Sequence, residues 1–180
     1  MNPKKSTPSS FRVCSTIFER ARRKGEVAHL CIDPQDYFVS RKDFAILNEI
    51  GGTIIPVLRA LSVPTYLVYM TNAGRISRAI NREHVRAVIP KDFASAFDST
   101  NLDAVLRQEN KKILLLSGFA RRVCVYRSFE HATKLGYHPV LLSDCTDVFP
   151  TGQIDDPEML ISFEHHCPAK RVFHALGLER

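Results

Sequence analysis

A cysteine, an aspartate and a lysine each follow a predicted buried strand, and together they could perform nucleophilic chemistry on a carbonyl group. Cys124 lies between the apolar run Ile113 to Ser117 and a segment, Val125 to Leu135, whose apolar residues share one helical face. We therefore expect the thiol in the first turn of a helix, where free N–H groups and the helix dipole favour a thiolate. The same N–H groups could hold an oxyanion.

Asp33 and Lys91 supply the two partners that such a thiol needs. Asp33 follows the apolar segment Val27 to Ile32, and Lys91 follows the strand candidate Val85 to Ile89 after Pro90. A carboxylate can take the thiol proton, and an ammonium group stabilises the charge that develops during acyl transfer. These residue types can thus form a catalytic set without a histidine.

Alternating strands and helices would bring these three residues to one edge of a sheet. Strands are predicted over 27–32, 65–70, 85–89, 112–117 and 138–143, and helices over 10–23, 53–61, 100–106, 122–135 and 157–166. Residues 37–52 are predicted as a loop with some helix because Gly51 and Gly52 interrupt the pattern, while 171–174 leave strand and helix open. The alternation predicts a three-layer, doubly wound α/β fold (Rossmann-like), with about six mainly parallel strands and helices on both faces. Ligands bind such sheets at the carboxyl ends of the strands.

Composition excludes several functional classes. We expect residues 1–10 to form a mobile tail and 11–180 a single domain, and no apolar run approaches the roughly 20 residues of a membrane helix. The chain has five cysteines with no CxxC spacing, which argues against a disulfide framework and favours the cytoplasm. The net charge of +6 comes partly from basic residues at the end of the first predicted helix, so we expect no nucleic-acid partner.

Three segments in the same order resemble the signatures of the isochorismatase-like cysteine hydrolases. Residues 33–38 resemble an Asp-x-Gln-x-x-Phe signature, and residues 91–102 resemble Lys-x-x-x-Ser-Ala-Phe-x-x-Thr-x-Leu. Residues 118–125, followed by Ala132, Gly136 and Asp144, resemble the helix that carries the family's nucleophile and the strand after it. The resemblance implies a six-stranded parallel fold and hydrolysis of a carbon–nitrogen or similar bond.

The resemblance also implies roles for individual residues. It implies that Asp33 is the general base, Lys91 the electrostatic partner and Cys124 the nucleophile. It implies further that the backbone N–H groups of Ala120 and Cys124 form an oxyanion hole. Candidate substrate-binding residues are Gln35, Phe38, Phe93 and Arg121. For the aromatic residues, ordinary core packing is the open alternative, and for Arg121 it is a solvated surface position.

The sequence predicts neither a metal nor another cofactor. The nicotinamidase branch of the family carries an Asp-x-His metal motif after the second strand, and residues 71–75 here have none. The His165-His166-Cys167 run is not predicted to bind metal, because adjacent residues on a helix point apart. We expect a small-molecule substrate, cleaved at an amide or carbamoyl C–N bond, and a possible homo-oligomer. A vinyl-ether or ester hydrolase and a catalytically silent scaffold stay open as alternatives.

Overall fold

The centre of the fold is a parallel six-stranded sheet. The computed structural model describes residues 19, 21–41, 43–147 and 166–178. Its strands are β1 Val27–Ile32, β2 Thr65–Met70, β3 Ala87–Lys91, β4 Ile113–Gly118, β5 His138–Thr146 and β6 His166–Cys167. They are ordered β3-β2-β1-β4-β5-β6 and every pair is parallel. The predicted α/β fold is thereby confirmed, because right-handed crossovers in this order put helices on both faces.

Among the described residues, the elements after β1 include five short α-helices and three irregular helical turns, which lie between the strands except for the last helix, which follows β6. The α-helices are α1 Phe44–Glu49, α2 Ile55–Ala60, α3 Leu102–Gln108, α4 Tyr126–Lys134 and α5 Ala169–Ala175. Wide π-helical turns occupy Ile50–Ile54 and Arg121–Val125, and a 3₁₀ turn occupies Arg82–His84. The segment left open at 171–174 is therefore helical. The N-terminal tail, most of the helix predicted over 10–23 and nearly all of that over 157–166 lie outside the described residues. Within the described residues, no helix is long and apolar enough to cross a membrane.

The predicted interruption at Gly51 and Gly52 is wrong, because the chain stays helical from α1 through a π-turn into α2. A Cβ on Gly51 would lie 2.0 Å from the carbonyl oxygen of Ala79. This glycine therefore permits close packing against a neighbouring loop. Pro56 sits in the first turn of α2 and has no N–H to donate, so the wide turn before it accommodates the missing helical bond.

The sheet is most deeply buried at its middle strands. All residues of β1 and β4 are buried, whereas burial alternates along the edge strand β3. An edge strand tolerates Pro90, so β3 continues past the predicted end at Ile89 and finishes at the buried Lys91.

A buried histidine joins the three central strands. His29 of β1 places Nδ1 3.1 Å from Thr65 Oγ1 in β2 and Nε2 2.8 Å from Ser117 Oγ in β4. Burial lowers the pKa of His29 to about 3. The imidazole is therefore neutral, and it satisfies two buried hydroxyl groups within the sheet.

Candidate active site

Asp33 and Lys91 form a buried ion pair at the carboxyl edge of the sheet. Asp33 directly follows β1 and Lys91 is the last residue of β3. Lys91 Nζ lies 2.9 Å from Asp33 Oδ2, and both side chains are 0% exposed. The ammonium also donates to the carbonyl oxygens of Phe93 and Ala94, each at 3.2 Å. Three oxygen atoms thus hold the charged end of Lys91 in place.

The Asp33 carboxylate is held where it can accept a proton. Its backbone is left-handed, with φ 51°, and its N–H donates to Val68 O at 2.8 Å. Among the described residues, neither carboxylate oxygen has a partner in ordinary hydrogen-bond geometry, although Lys91 Nζ lies 2.9 Å from Oδ2. Burial raises the pKa of Asp33, against the opposing effects of Lys91 and Cys124. A carboxylate with a raised pKa is a stronger base than a solvated one.

Cys124 lies beside this ion pair, inside the wide turn that follows β4. Its side chain is buried and interacts with both Asp33 and Lys91. Burial and, to a lesser extent, the Asp33 charge together raise its pKa to about 12, although Lys91 opposes them. Cys124 lies in the first turn of the helical segment, as predicted, because the wide turn Arg121–Val125 continues directly into α4. The expectation of a thiolate is wrong, since the raised pKa makes the resting group a neutral thiol.

Backbone N–H groups around Cys124 are available for an oxyanion. Ala120 adopts a left-handed conformation, and its carbonyl accepts the N–H groups of Val123 at 2.9 Å and Val125 at 3.3 Å. Among the described residues, the Ala120 N–H donates no hydrogen bond, and the Cys124 N–H makes none to the carbonyl of Phe119 or Ala120. The oxyanion hole stays a prediction, and these contacts are compatible with it.

Comparison with known proteins identifies the family to which this arrangement belongs. A family model described as the isochorismatase domain matches residues 27–156, well over half of the chain. The chain is a member of the isochorismatase family. The resemblance noted in the sequence is therefore confirmed.

The proteins similar to this chain differ in how much of each chain the similarity covers. Ureidoacrylate amidohydrolase RutB from Agrobacterium fabrum (strain C58 / ATCC 33970) is 41% identical over 59 residues, which span 33% of this chain but only 26% of that relative. A cysteine hydrolase from Pseudomonas syringae pv. phaseolicola 1448A has a TM-score of 0.73 at 16% identity, covering 84% of this chain and 92% of that one. An isochorismatase family protein from Desulfovibrio vulgaris subsp. vulgaris str. Hildenborough has a TM-score of 0.70 at 20% identity, covering 85% and 99%.

Gln35 connects the loop after β1 to the end of β2. Its Nε2 donates to Met70 O at 2.9 Å and Gly74 O at 2.8 Å, and its Oε1 accepts the Met70 N–H at 2.7 Å. The side chain is fully buried. These bonds give Gln35 a positioning role next to Asp33 and commit both of its amide hydrogens, so little of the amide is left for the substrate contact predicted for it.

Arg121 does not occupy the surface position that the sequence left open, and its guanidinium is engaged by β5. The residue is 2% exposed, and it donates to Thr146 Oγ1 at 2.7 Å, to Ser143 O at 3.0 Å and to Thr146 O. The β4–β5 register shifts there, where Leu116 pairs with Leu141 but Gly118 pairs with Thr146. Arg121 bonds to carbonyl and hydroxyl groups of this irregular stretch and so supports it, while the substrate contact predicted for Arg121 stays a prediction.

The two candidate aromatic residues lie in different environments. Phe38 is 9% exposed and packs edge-on against Tyr37 with ring centroids 5.1 Å apart. The ring of Phe93 is 56% exposed, while its carbonyl binds Lys91. Core packing therefore describes Phe38, and Phe93 stays a predicted substrate contact beside the ion pair.

One polar residue that contacts Cys124 was missed in the sequence. The buried Ser128 hydroxyl donates to Cys124 O at 2.6 Å and accepts the Ala96 N–H at 2.9 Å. Its spacing of four residues from Cys124 was a usable signal, since residues at that spacing share a helical face.

For metals, no group of three or more His, Cys, Asp or Glu side chains in the described segments is arranged to hold an ion.

Proposed function

We propose that this hydrolase cleaves the C–N bond of a small amide or carbamoyl-type substrate through a thioester on Cys124. The observation that carries the proposal is the meeting of Asp33, Lys91 and Cys124 in one buried cluster, although 91 residues separate the first from the last in the sequence. The amide class is supported by the 59-residue similarity to ureidoacrylate amidohydrolases, which spans about a quarter of those relatives.

The first half-reaction follows from the protonation states of the site. Cys124 is a thiol at rest and Asp33 is a strengthened base, so the proton passes to the Asp33 carboxylate as the sulfur attacks the carbonyl carbon. The N–H groups of Ala120 and Cys124 stabilise the oxyanion, and the Lys91 ammonium adds its positive charge. As the C–N bond breaks, Asp33 returns the proton to the departing nitrogen, which leaves a thioester.

The second half-reaction uses the same carboxylate. Asp33 takes a proton from water as the water oxygen attacks the thioester carbonyl. The C–S bond then breaks, the sulfur regains its proton from Asp33, and the acid product leaves. No resident cofactor is needed for this sequence of proton transfers.

Ammonia release from a panel of small primary amides, ureido acids and carbamoyl compounds tests the proposal. We expect turnover by the wild type and loss of at least about a thousandfold in Cys124→Ala and Asp33→Asn, with the fold retained. Ester or vinyl-ether cleavage without ammonia release would favour the second hydrolase class. No turnover of the amide and carbamoyl compounds and no cleavage of esters or vinyl ethers would favour a silent scaffold.

A further inference from the structure

The segment that carries Lys91 and the helix that carries Cys124 are connected by one buried hydroxyl group. The Lys91 ammonium is held by the carbonyls of Phe93 and Ala94, and two residues later the Ala96 N–H donates to Ser128 Oγ at 2.9 Å. Ser128 is 0% exposed, as is Ala96. The position of the ammonium is therefore linked through four residues to the Ser128 side chain.

The same hydroxyl also contacts the backbone of the nucleophile, Cys124. Ser128 Oγ donates to Cys124 O at 2.6 Å, a bond to the carbonyl four residues earlier in the chain. Cys124 in turn interacts with Asp33 and Lys91. The contacts thus close a ring that runs from Asp33 through Lys91, the 93–96 segment, Ser128 and Cys124 back to Asp33.

We propose that Ser128 is a positioning residue of the reaction, which fixes the distance between the Lys91 ammonium and the Cys124 sulfur. This inference rests on the proposed function. The hydroxyl has one hydrogen, which it donates to Cys124 O, so the Ala96 N–H must donate to a lone pair of the Ser128 oxygen. Both bonds hold only while the two segments keep their relative position. Removing the hydroxyl leaves a buried N–H without an acceptor, and the 93–96 segment is then free to shift.

Alkylation of Cys124 by iodoacetamide, measured against pH, tests the proposal without knowledge of the substrate. In this reaction the sulfur displaces iodide and its proton passes to Asp33. Trypsin cuts after Arg122 and Arg127, so Cys124 lies in its own peptide, 123–127, apart from the other cysteines. The wild-type rate should rise with pH as Asp33 ionises and then reach a plateau.

We expect Ser128→Ala to lower that plateau roughly ten- to hundredfold and to leave mainly the alkaline rise of an ordinary thiol. Ser128→Thr keeps the hydroxyl and should restore the plateau. Thr133→Ala is the matched control, because Thr133 Oγ1 makes the same kind of bond, to Phe129 O at 3.0 Å, one turn further along α4. It should retain the wild-type profile.

A folded Ser128→Ala protein with the wild-type profile would overturn the positioning role and leave the proposed function intact. If Ser128→Ala does not fold, Ser128→Cys decides by the same criterion, since its label would fall in the separate peptide 128–134. A wild type whose Cys124 is labelled no faster than its other cysteines would instead overturn the proposed function, and the positioning role with it.

Discussion

Replacing Lys91 by methionine should destabilise the fold in a way that depends on pH. Lys91→Met keeps the length of the side chain but removes the positive charge 2.9 Å from Asp33, where both groups are fully buried. At an effective dielectric constant of 20, that separation corresponds to an attraction of about 6 kcal/mol. Protonation of Asp33 and burial of the apolar methionine offset part of this lost attraction. We therefore expect a net decrease of about 3–5 kcal/mol in the free energy of unfolding.

The dependence on pH follows from Asp33. Burial already raises its pKa, and loss of Lys91 raises it further. In the variant, the folded state binds a proton that the unfolded state does not bind between about pH 4 and the folded pKa. Stability should therefore fall as pH rises through that window, and the deficit should be largest above it.

Urea unfolding of four proteins at pH 5 and pH 8 measures the effect: wild type, Lys91→Met, Asp33→Asn and the double variant. We expect the Lys91→Met deficit to be larger at pH 8, and the double variant to be more stable than Lys91→Met at that pH, because it has no buried unpaired charge. A deficit below about 1 kcal/mol at pH 8, or a double variant as unstable as Lys91→Met, would refute the reasoning.

Three further predictions concern residues that support the site. Arg121→Ala should lower the free energy of unfolding by about 2–4 kcal/mol in urea unfolding, and Arg121→Lys should recover only part because it lacks the planar fork of donors; full stability of the alanine variant would refute the structural role. The lowered pKa of His29 means that stability is full above about pH 6.5 and falls as pH drops towards about 3, by up to about 5 kcal/mol; His29→Gln should flatten this slope, and an unchanged slope would contradict it. Gly118→Ala would put a Cβ 1.9 Å from Ile32 O at φ 122°, so it should cost more than about 3 kcal/mol in thermal unfolding, whereas Gly52→Ala, with no atom within 4 Å, should be tolerated.

The sequence predicted the strands well because a buried parallel strand leaves a continuous apolar run. Val27–Ile32 and Ile113–Gly118 are such runs, and both strands are found within one residue of their predicted bounds. The glycine pair at 51 and 52 was misread because the pattern cannot distinguish a chain break from close packing. Only the position of Ala79 in space gives Gly51 its role.

The members of the candidate site were readable from the sequence, but their electrostatics were not. The strand ends and motifs placed Asp33, Lys91 and Cys124 together. The helix-start argument nevertheless predicted a thiolate, because it did not include desolvation, which needs the complete packing around the sulfur. The burial of Arg121 was not readable for a related reason, since the irregular β5 stretch that it binds leaves no mark on the sequence near residue 121.

Acylation by p-nitrophenyl acetate, followed by acid quenching and peptide mapping, tests the central claim most directly, namely that Asp33 and Lys91 activate the Cys124 sulfur. The account predicts one acetyl group on the 123–127 peptide of the wild type. It also predicts a rate lowered by at least about a hundredfold in Asp33→Asn, with a smaller decrease in Lys91→Met. Acetylation of Cys124 at the same rate in all three proteins, or no faster than at Cys31 or Cys145, would contradict it.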